Sequence, residues 1–140
     1  MKVSTKGRYA LRMMIDIAEN SNNGMVTIKD ISERQGISIK YSEQIVFNLK
    51  RAGLLRSSRG TGGGHMLAKA PNQYIAGEIL RAIEGKLAPV ACLESDVNLC
   101  ERKDCCKTLH FWEGLYRVID EYVDSVTLQD FLTSDKKGDL

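Results

Sequence analysis

An ordered run of signals between Thr27 and Ala68 constrains this chain more than any other feature. Thr27-Ile28-Lys29-Asp30 has the pattern of a capping box with Asp in place of Glu, and it opens a short helix to about Gln35. Gly36 stops that helix, because glycine accepts the left-handed backbone in which helices commonly end. Ser38 can then cap a second helix from Ile39 to Ala52, which Gly53 closes. Two helices joined through a glycine-containing turn of about four residues match a helix-turn-helix. Leu54-Leu55-Arg56-Ser57-Ser58 and His65-Met66-Leu67-Ala68 read as strands on either side of the tip Arg59-Gly60-Thr61-Gly62-Gly63-Gly64. A β-hairpin directly after a helix-turn-helix is a wing. The expected fold is therefore mainly α, a winged helix-turn-helix with a β-hairpin wing.

The flanks add helices. Ser4 or Thr5 caps a first helix running to about Asn20. Tyr9, Met13 and Ile17 form one apolar stripe on it, and Leu11, Met14, Ile15 and Ala18 form an adjacent one. Together they predict burial over most of the circumference. Asn22-Asn23-Gly24 ends this helix. Pro71 and Asn72 open another helix, roughly Ile75 to Glu84, which stops at Gly85. Residues 86–106 show no period. A long helix follows from about Lys107 to Val126, with Trp112, Leu115, Ile119, Tyr122, Val123 and Val126 at three- and four-residue spacing. Thr127-Leu128-Gln129-Asp130 starts a last short turn of helix. The chain divides into a DNA-binding region (1–70), a connecting helix (71–85), a cysteine loop (86–106), the long and terminal helices (107–132) and a flexible tail (133–140).

Charge is divided unevenly along the chain. Residues 1–69 hold twelve Lys/Arg against five Asp/Glu, a net of +7, and residues 70–140 hold eight against thirteen, a net of −5. A basic half joined to an acidic half suits a polyanionic partner for the first half, although an unevenly charged solvated surface gives the same count. No stretch has the length of a membrane span, and Met1 to Gly7 lacks the apolar core of a signal peptide. The expected location is the cytoplasm. No enzyme is indicated: there is no carboxylate pair in a pocket-like context and no Ser/His/Asp order. Gly60-x-Gly62-Gly63-Gly64 also lacks the Lys-Ser/Thr of a phosphate loop.

In a helix-turn-helix the first residues of the second helix face base edges in the major groove. Here those are Ser38, Lys40, Tyr41, Ser42, Glu43 and Gln44, with Ile45, Leu49 and Ala52 on the inward face. Glu43 can accept from a cytosine amino group and Gln44 can pair with adenine. Lys40 and Tyr41 can reach phosphate or bases, and Arg59 beside Gly60 can enter a narrow minor groove. The amides at the start of the first helix, near Ser4, Thr5 and Lys6, offer an anion site.

All four cysteines, Cys92, Cys100, Cys105 and Cys106, lie between the connecting and long helices. In a reducing cytosol such clustering points to metal or redox chemistry more than to disulfides. Thiolates favour iron–sulfur clusters. The spacing alone leaves cluster, zinc and redox thiols open. His110 follows Cys106 by four residues, a spacing that shares a helix face, and is either a further ligand or a plain helix residue. His65, in the wing, reads as a surface or packing residue.

Asp30-Ile31-Ser32-Glu33-Arg34-Gln35-Gly36-Ile37-Ser38, Tyr41, Glu43-Gln44, Leu49, Gly53-Leu54 and Arg59-Gly60-x-Gly62-Gly63-Gly64 closely resemble the Rrf-two family of bacterial winged-helix transcription regulators. The opening Ser4-x-Lys6-Gly7-Arg8-Tyr9-Ala10 fits as well, and the likeness runs to about residue 132. It is nearest the branch of iron–sulfur cluster regulators. The resemblance implies a homodimer built on the long C-terminal helix and a palindromic double-stranded DNA operator. It assigns Glu43 to the choice between operator types and Arg59 to the minor groove. It also implies an iron–sulfur cluster, [2Fe–2S] in preference to [4Fe–4S], on Cys92, Cys100 and Cys106. Cys105 is then a spare or a substitute, and His110 or Cys105 the fourth ligand. Cluster-binding relatives place a His three residues after the last Cys, where this chain has Leu109. Another branch uses an acidic residue near the partner's N-terminus, where this chain has Arg8. The implied function is a DNA-binding regulator, a repressor, that senses cluster status, redox state or nitric oxide. The alternative is a thiol redox switch, or a regulator of cysteine and sulfur metabolism controlled by a partner protein, without a cluster.

Overall fold

The computed structural model describes residues 2–134, apart from the side chain of Asn23. The sequence expected at 133–140 to be a flexible tail therefore falls, from residue 135 on, outside the described residues. The fold is mainly helical, with one two-stranded antiparallel sheet.

Helix α1 (Thr5–Asn20) is the central element. Ser4 caps it, its Oγ accepting from the Gly7 amide at 3.0 Å. Ala10, Met13, Met14 and Ile17 are fully buried, and Tyr9, Leu11, Ile15 and Ala18 pack partly buried against the same core. Both apolar stripes thus contribute to one core. Helix α2 (Ile28–Gln35) is capped by Thr27, whose Oγ1 accepts from the Asp30 amide at 3.1 Å, and it ends at Gly36 in the left-handed region, φ 66°. Helix α3 (Ile39–Arg51) is capped by Ser38, which accepts from the Tyr41 amide at 3.1 Å. The Thr-x-x-Asp pattern predicts a reciprocal box at Thr27, yet only one arm forms there. At Thr127, where the same spacing recurs, both arms form, at 3.1 and 2.8 Å.

The wing consists of β1 (Leu55–Ser58) and β2 (Gly64–Leu67), with Leu55 opposite Leu67 and Ser58 opposite Gly64. Val26 makes a single bridge to β2, exchanging backbone bonds with His65 at 2.8 and 2.7 Å. Gly64 makes this contact possible, since its φ is 150° and a Cβ there would lie 2.6 Å from the Val26 carbonyl oxygen.

Pro71–Gln73 forms a separate 3-10 turn and does not run on into the next helix, because Tyr74 and Ile75 are extended. Helix α4 (Ala76–Glu84) follows, ending at Gly85. Helix α5 (Leu109–Ser125) starts two residues later than the periodicity suggests, and Val126 lies beyond it, buried and extended. Helix α6 (Leu128–Thr133) closes the described chain. The stretch between α5 and α6 pairs with the one before α4: the Ala76 amide donates to Val126 at 2.8 Å and the Leu128 amide to Tyr74 at 3.0 Å.

One hydrophobic core crosses residue 70. Tyr74, Ile79 and Leu128 belong to the cluster that also contains Met13, Ile31, Ile45, Leu49 and Leu54. Each such fully buried side chain contributes about 1.5–3 kcal/mol relative to exposure, so α4 and α6 are integral to the helix-turn-helix. Polar clamps add direction. Asp16, 2% exposed, receives two bonds from Arg34 (2.7 and 3.0 Å) and one from Gln35 (2.9 Å), fixing α2 against α1. Arg81 on α4 bonds Asp120 (2.8 Å) and Asp124 (2.8 and 3.2 Å), fixing α5 against α4. These carboxylates hold the Arg81 guanidinium well above its ordinary value. No helix among the described residues is long and apolar enough to cross a membrane.

Candidate nucleic-acid interface and cysteine loop

The sequence pattern points to the start of α3 for base reading. Ser38, Lys40, Glu43 and Gln44 are exposed there. One of the proposed readers is placed otherwise. Ser42 is fully buried, its Oγ without a protein partner. It sits three residues before Ile45 and four before Val46, on the inward face that also holds Leu49, so the helical period removes it from the groove. Tyr41 is half-buried, its ring edge-on to Tyr9 at 5.8 Å, and Arg12 lies over Tyr9 at 5.0 Å. Tyr41 thereby joins α3 to α1. Ala52, expected inward, is exposed as the residue closing α3.

Lys6 from α1 meets Lys40, Glu43, Gln44, Phe47 and Asn48 from α3 around a concavity of about 430 Å³. Phe47 and Asn48 are not among the readers expected from the sequence. Their positions three to five residues after Glu43 and Gln44 already put them on or beside the same face.

At the wing tip Arg59 is exposed, and the chain reverses over Gly60, whose carbonyl accepts from the Gly63 amide at 2.9 Å. His65 at the wing base is half-buried. Its Nδ1 is buried without a partner, and burial, then Lys50, push its pKa below the ordinary value. The wing is anchored from below by Tyr74. That hydroxyl donates to the Leu54 carbonyl at 2.6 Å and accepts from the Ala68 and Lys69 amides at 2.8 and 3.3 Å.

The anion site expected at the start of α1 is filled from within. The Ser4 amide donates to Glu84 Oε1 at 2.9 Å, and the Ser4 hydroxyl bonds the same oxygen. A carboxylate at a helix N-terminus satisfies free amides and complements the helix dipole, so Glu84 takes the place a phosphate would take.

The cysteine loop runs from Lys86, which pairs with Asp96, to the start of α5. All four thiols are free; Cys92 and Cys106 are half-buried, Cys100 and Cys105 exposed. Cys92 and Cys100 line one concavity with Ala91, Ser95, Val97 and Leu99, of about 390 Å³. Cys105 and Cys106 line another with Arg102, Lys107 and Thr108, of about 420 Å³. The Cys106 Sγ lies 3.4 Å from Thr108 Oγ1. Hydrogen bonding to the Thr108 side chain, then to its backbone, holds this thiol below its ordinary pKa and favours the thiolate.

The donors have the soft character that iron–sulfur clusters select. Among the described residues, no three of His, Cys, Asp or Glu converge in the single chain. The loop must therefore draw its two cysteine pairs together to ligate one group. His110 is fully exposed, 3.6 Å from the Glu113 carboxylate. Cys106 precedes α5, so the four-residue spacing to His110 does not place the two on one helix face.

Helix α5 has two sides. Trp112, Ile119 and Val123 are half-buried, while Phe111, Val118 and Tyr122 are exposed. Phe111, Leu115, Val118 and Tyr122 recur at intervals of four, three and four, the spacing of a coiled-coil seam.

The sequence model of the Rrf2 (Rrf-two) family, described as an iron-dependent transcriptional regulator, matches residues 3–134. An HTH-type transcriptional regulator of Neisseria meningitidis is 41% identical over 139 residues, covering 99% of this chain and 93% of that protein. The solved structure of T. potens IscR superposes with a TM-score of 0.79 at 37% identity, covering 100% of this chain and 92% of that one. CymR, the global cysteine regulator of B. subtilis, superposes with a TM-score of 0.77 at 34% identity, covering 96% and 99%.

Proposed function

This chain belongs to the Rrf2 family of transcriptional regulators, and from that premise we propose that it is a cytoplasmic homodimeric repressor whose affinity for a palindromic operator is set by an iron–sulfur cluster on Cys92, Cys100 and Cys106. It is a DNA-binding regulator, not an enzyme, as its relatives are. Lys40, Glu43 and Gln44 on α3, with Ser38 at its cap, face the major groove. Arg59 and Gly60 take the minor groove, and Lys6 a phosphate. The seam of Phe111, Leu115, Val118 and Tyr122 joins two protomers.

The observation that carries the sensing half is the place of the thiols. Four free cysteines fill the segment whose end is the start of α5, the helix with the unpaired apolar seam. A bound [2Fe–2S] cluster would supply a rigid crosslink among residues that the chain alone leaves apart. Cys92 and Cys100 would hold it from the loop's start, and Cys106 from beside α5. Cys105 or His110 would complete the set. Half-sites lie about 34 Å apart per DNA turn, so the setting of the two α5 helices decides whether both α3 helices dock. A hundredfold change in affinity needs about 2.7 kcal/mol of differential binding.

The deciding measurement is iron and acid-labile sulfide per chain, with the absorption spectrum, on anaerobically purified protein. About two of each, lost together in Cys92→Ala, Cys100→Ala and Cys106→Ala, is the expected result. Protein that stays iron-free after reconstitution refutes the cluster reading. A second reading then stands, a thiol switch or partner-controlled regulator of cysteine metabolism. The depressed thiol of Cys106 beside exposed Cys105 favours it, as does the likeness to a structure named as a cysteine regulator.

A further inference from the structure

We propose that Phe47 is a specificity-determining residue of the recognition helix, reading the 5-methyl group of a thymine in the operator's major groove. The inference rests on the DNA-reading role given above to α3. Buried Ser42, Ile45, Val46 and Leu49 define the inner face of that helix. Phe47 lies opposite, one turn beyond Glu43 and Gln44, and is 62% exposed.

A single exposed apolar residue is ordinary on a protein surface. What marks Phe47 is its surroundings. The other residues around its concavity, Lys6, Lys40, Glu43, Gln44 and Asn48, are all polar or charged. An apolar protein partner seated on Phe47 would have to desolvate two lysines and a glutamate, which is costly without paired charges. The major groove meets every one of these groups. Phosphates suit Lys6 and Lys40, base edges suit Glu43 and Gln44, and the only apolar group a base pair offers there is the thymine methyl. Four residues of helix advance about 6 Å, roughly two base-pair steps at about 3.4 Å each. The thymine is therefore placed within about two base pairs of the position that faces Glu43. The net positive charge of residues 1–69 favours a polyanionic partner for this half of the chain.

The test begins with an operator selected by the full-length protein from a random duplex DNA pool. Each thymine is then replaced by deoxyuridine, one symmetric pair at a time, which removes the methyl and nothing else. At one pair the wild type should lose about fourfold in affinity per half-site, the value of one methyl removed from water. Phe47→Ala should bind the thymine and deoxyuridine operators equally. On reselection it should show no thymine preference at that pair. Phe47→Met, which keeps an apolar contact, should retain part of the discrimination and guards against a folding defect in the alanine variant.

The inference is overturned if no deoxyuridine operator weakens wild-type binding, or if Phe47→Ala loses affinity at the same pair as the wild type does. Either outcome with Glu43→Ala and Gln44→Ala still impaired leaves the recognition helix in place and removes only Phe47. Wild-type protein that selects no operator, or that binds unchanged without Glu43 and Gln44, overturns both the inference and the reading beneath it.

Discussion

Removing one oxygen atom, in Tyr74→Phe, should loosen the wing and destabilise the whole fold. The Tyr74 side chain is fully buried. Its hydroxyl joins the residue before β1 to the residues after β2, through the Leu54 carbonyl at 2.6 Å and the Ala68 and Lys69 amides at 2.8 and 3.3 Å. Phenylalanine fills the same space, so no cavity opens. The cost is that of orphaned backbone groups. Leu54 is 2% exposed, and a buried carbonyl left without a partner costs about 1–3 kcal/mol. Ala68 and Lys69 are half-buried, so water recovers much of the remainder, and about 1 kcal/mol is lost there. The total is about 2–4 kcal/mol. Unfolding entropy near 2.1 cal/mol/K per residue gives about 0.3 kcal/mol/K for a chain of this length, so a loss of about 3 kcal/mol lowers Tm by about 10 °C. The assay is thermal unfolding of wild type and variant at one protomer concentration, since association shifts Tm. A second readout is operator affinity in the Tyr74→Phe/Arg59→Ala cycle. The wing arginine contributes through a wing held in place, so the two losses should be less than additive. A Tm within about 2 °C of wild type, with additive losses in affinity, would refute the account.

Three further outcomes are expected. Arg34→Met should cost about 2 kcal/mol, because it strips two bonds from the nearly inaccessible Asp16 carboxylate; the Gln35 bond at 2.9 Å and the partial exposure of Arg34 keep the loss below the 3–5 kcal/mol of a fully buried pair. Urea unfolding measures it, and a double mutant with Asp16→Asn should recover part of the loss. Gly77→Ala should cost about 1–3 kcal/mol by overpacking, since its Cβ would meet Asp124 Oδ1, Arg81 Nη1 at 2.7 Å and Val123 Cγ2 at 2.9 Å, all at the α4–α5 contact; a variant as stable as wild type would show that α5 shifts freely. His65 is held neutral by burial first and by Lys50 second, with its folded pKa below the ordinary 6.5. The unfolded chain then binds the extra proton, so the His65 contribution to stability is complete above pH 6.5 and is lost as pH falls below it. His65→Gln should flatten the stability curve between about pH 7 and 5, and a slope unchanged by the substitution would assign the acid sensitivity to other groups.

The helix-turn-helix half was legible because its signals are local. The caps expected from the sequence at Ser4, Thr27 and Ser38 each accept the bond their spacing predicts. The left-handed residue ending α2 is a glycine. What escaped was tertiary. Ser42 is polar and sits among readers in sequence, yet three- and four-residue steps from Ile45 and Val46 turn it inward. Phe47, apolar among polar readers, faces out for the same reason. Glu84 looked like a helix-end residue, and nothing in its neighbours announces that it caps α1 eighty residues away. The cysteine loop has no period to read, and its four thiols lie in two separate concavities.

On the proposed reading, a sensor in that loop would have two mechanical routes to α3. At its far end the loop runs into α5, and Arg81 binds α5 to α4 through Asp120 and Asp124. At its near end it leaves α4 directly after Glu84, whose carboxylate holds Ser4, and Lys6, two residues further on, lines the same concavity as Lys40 and Glu43. Both routes pass through α4, and α4 shares the core with α1 and α3. A close-packed interior shifts between discrete arrangements and does not deform smoothly. On the proposed reading, closing the loop on a ligand would move α3 as a body. The free energy involved is the difference between two packings of α4, so Arg81→Gln should reduce the affinity difference between loaded and empty protein more than it reduces the affinity of either. Equal losses in both forms would place the coupling elsewhere, in the α5 seam alone.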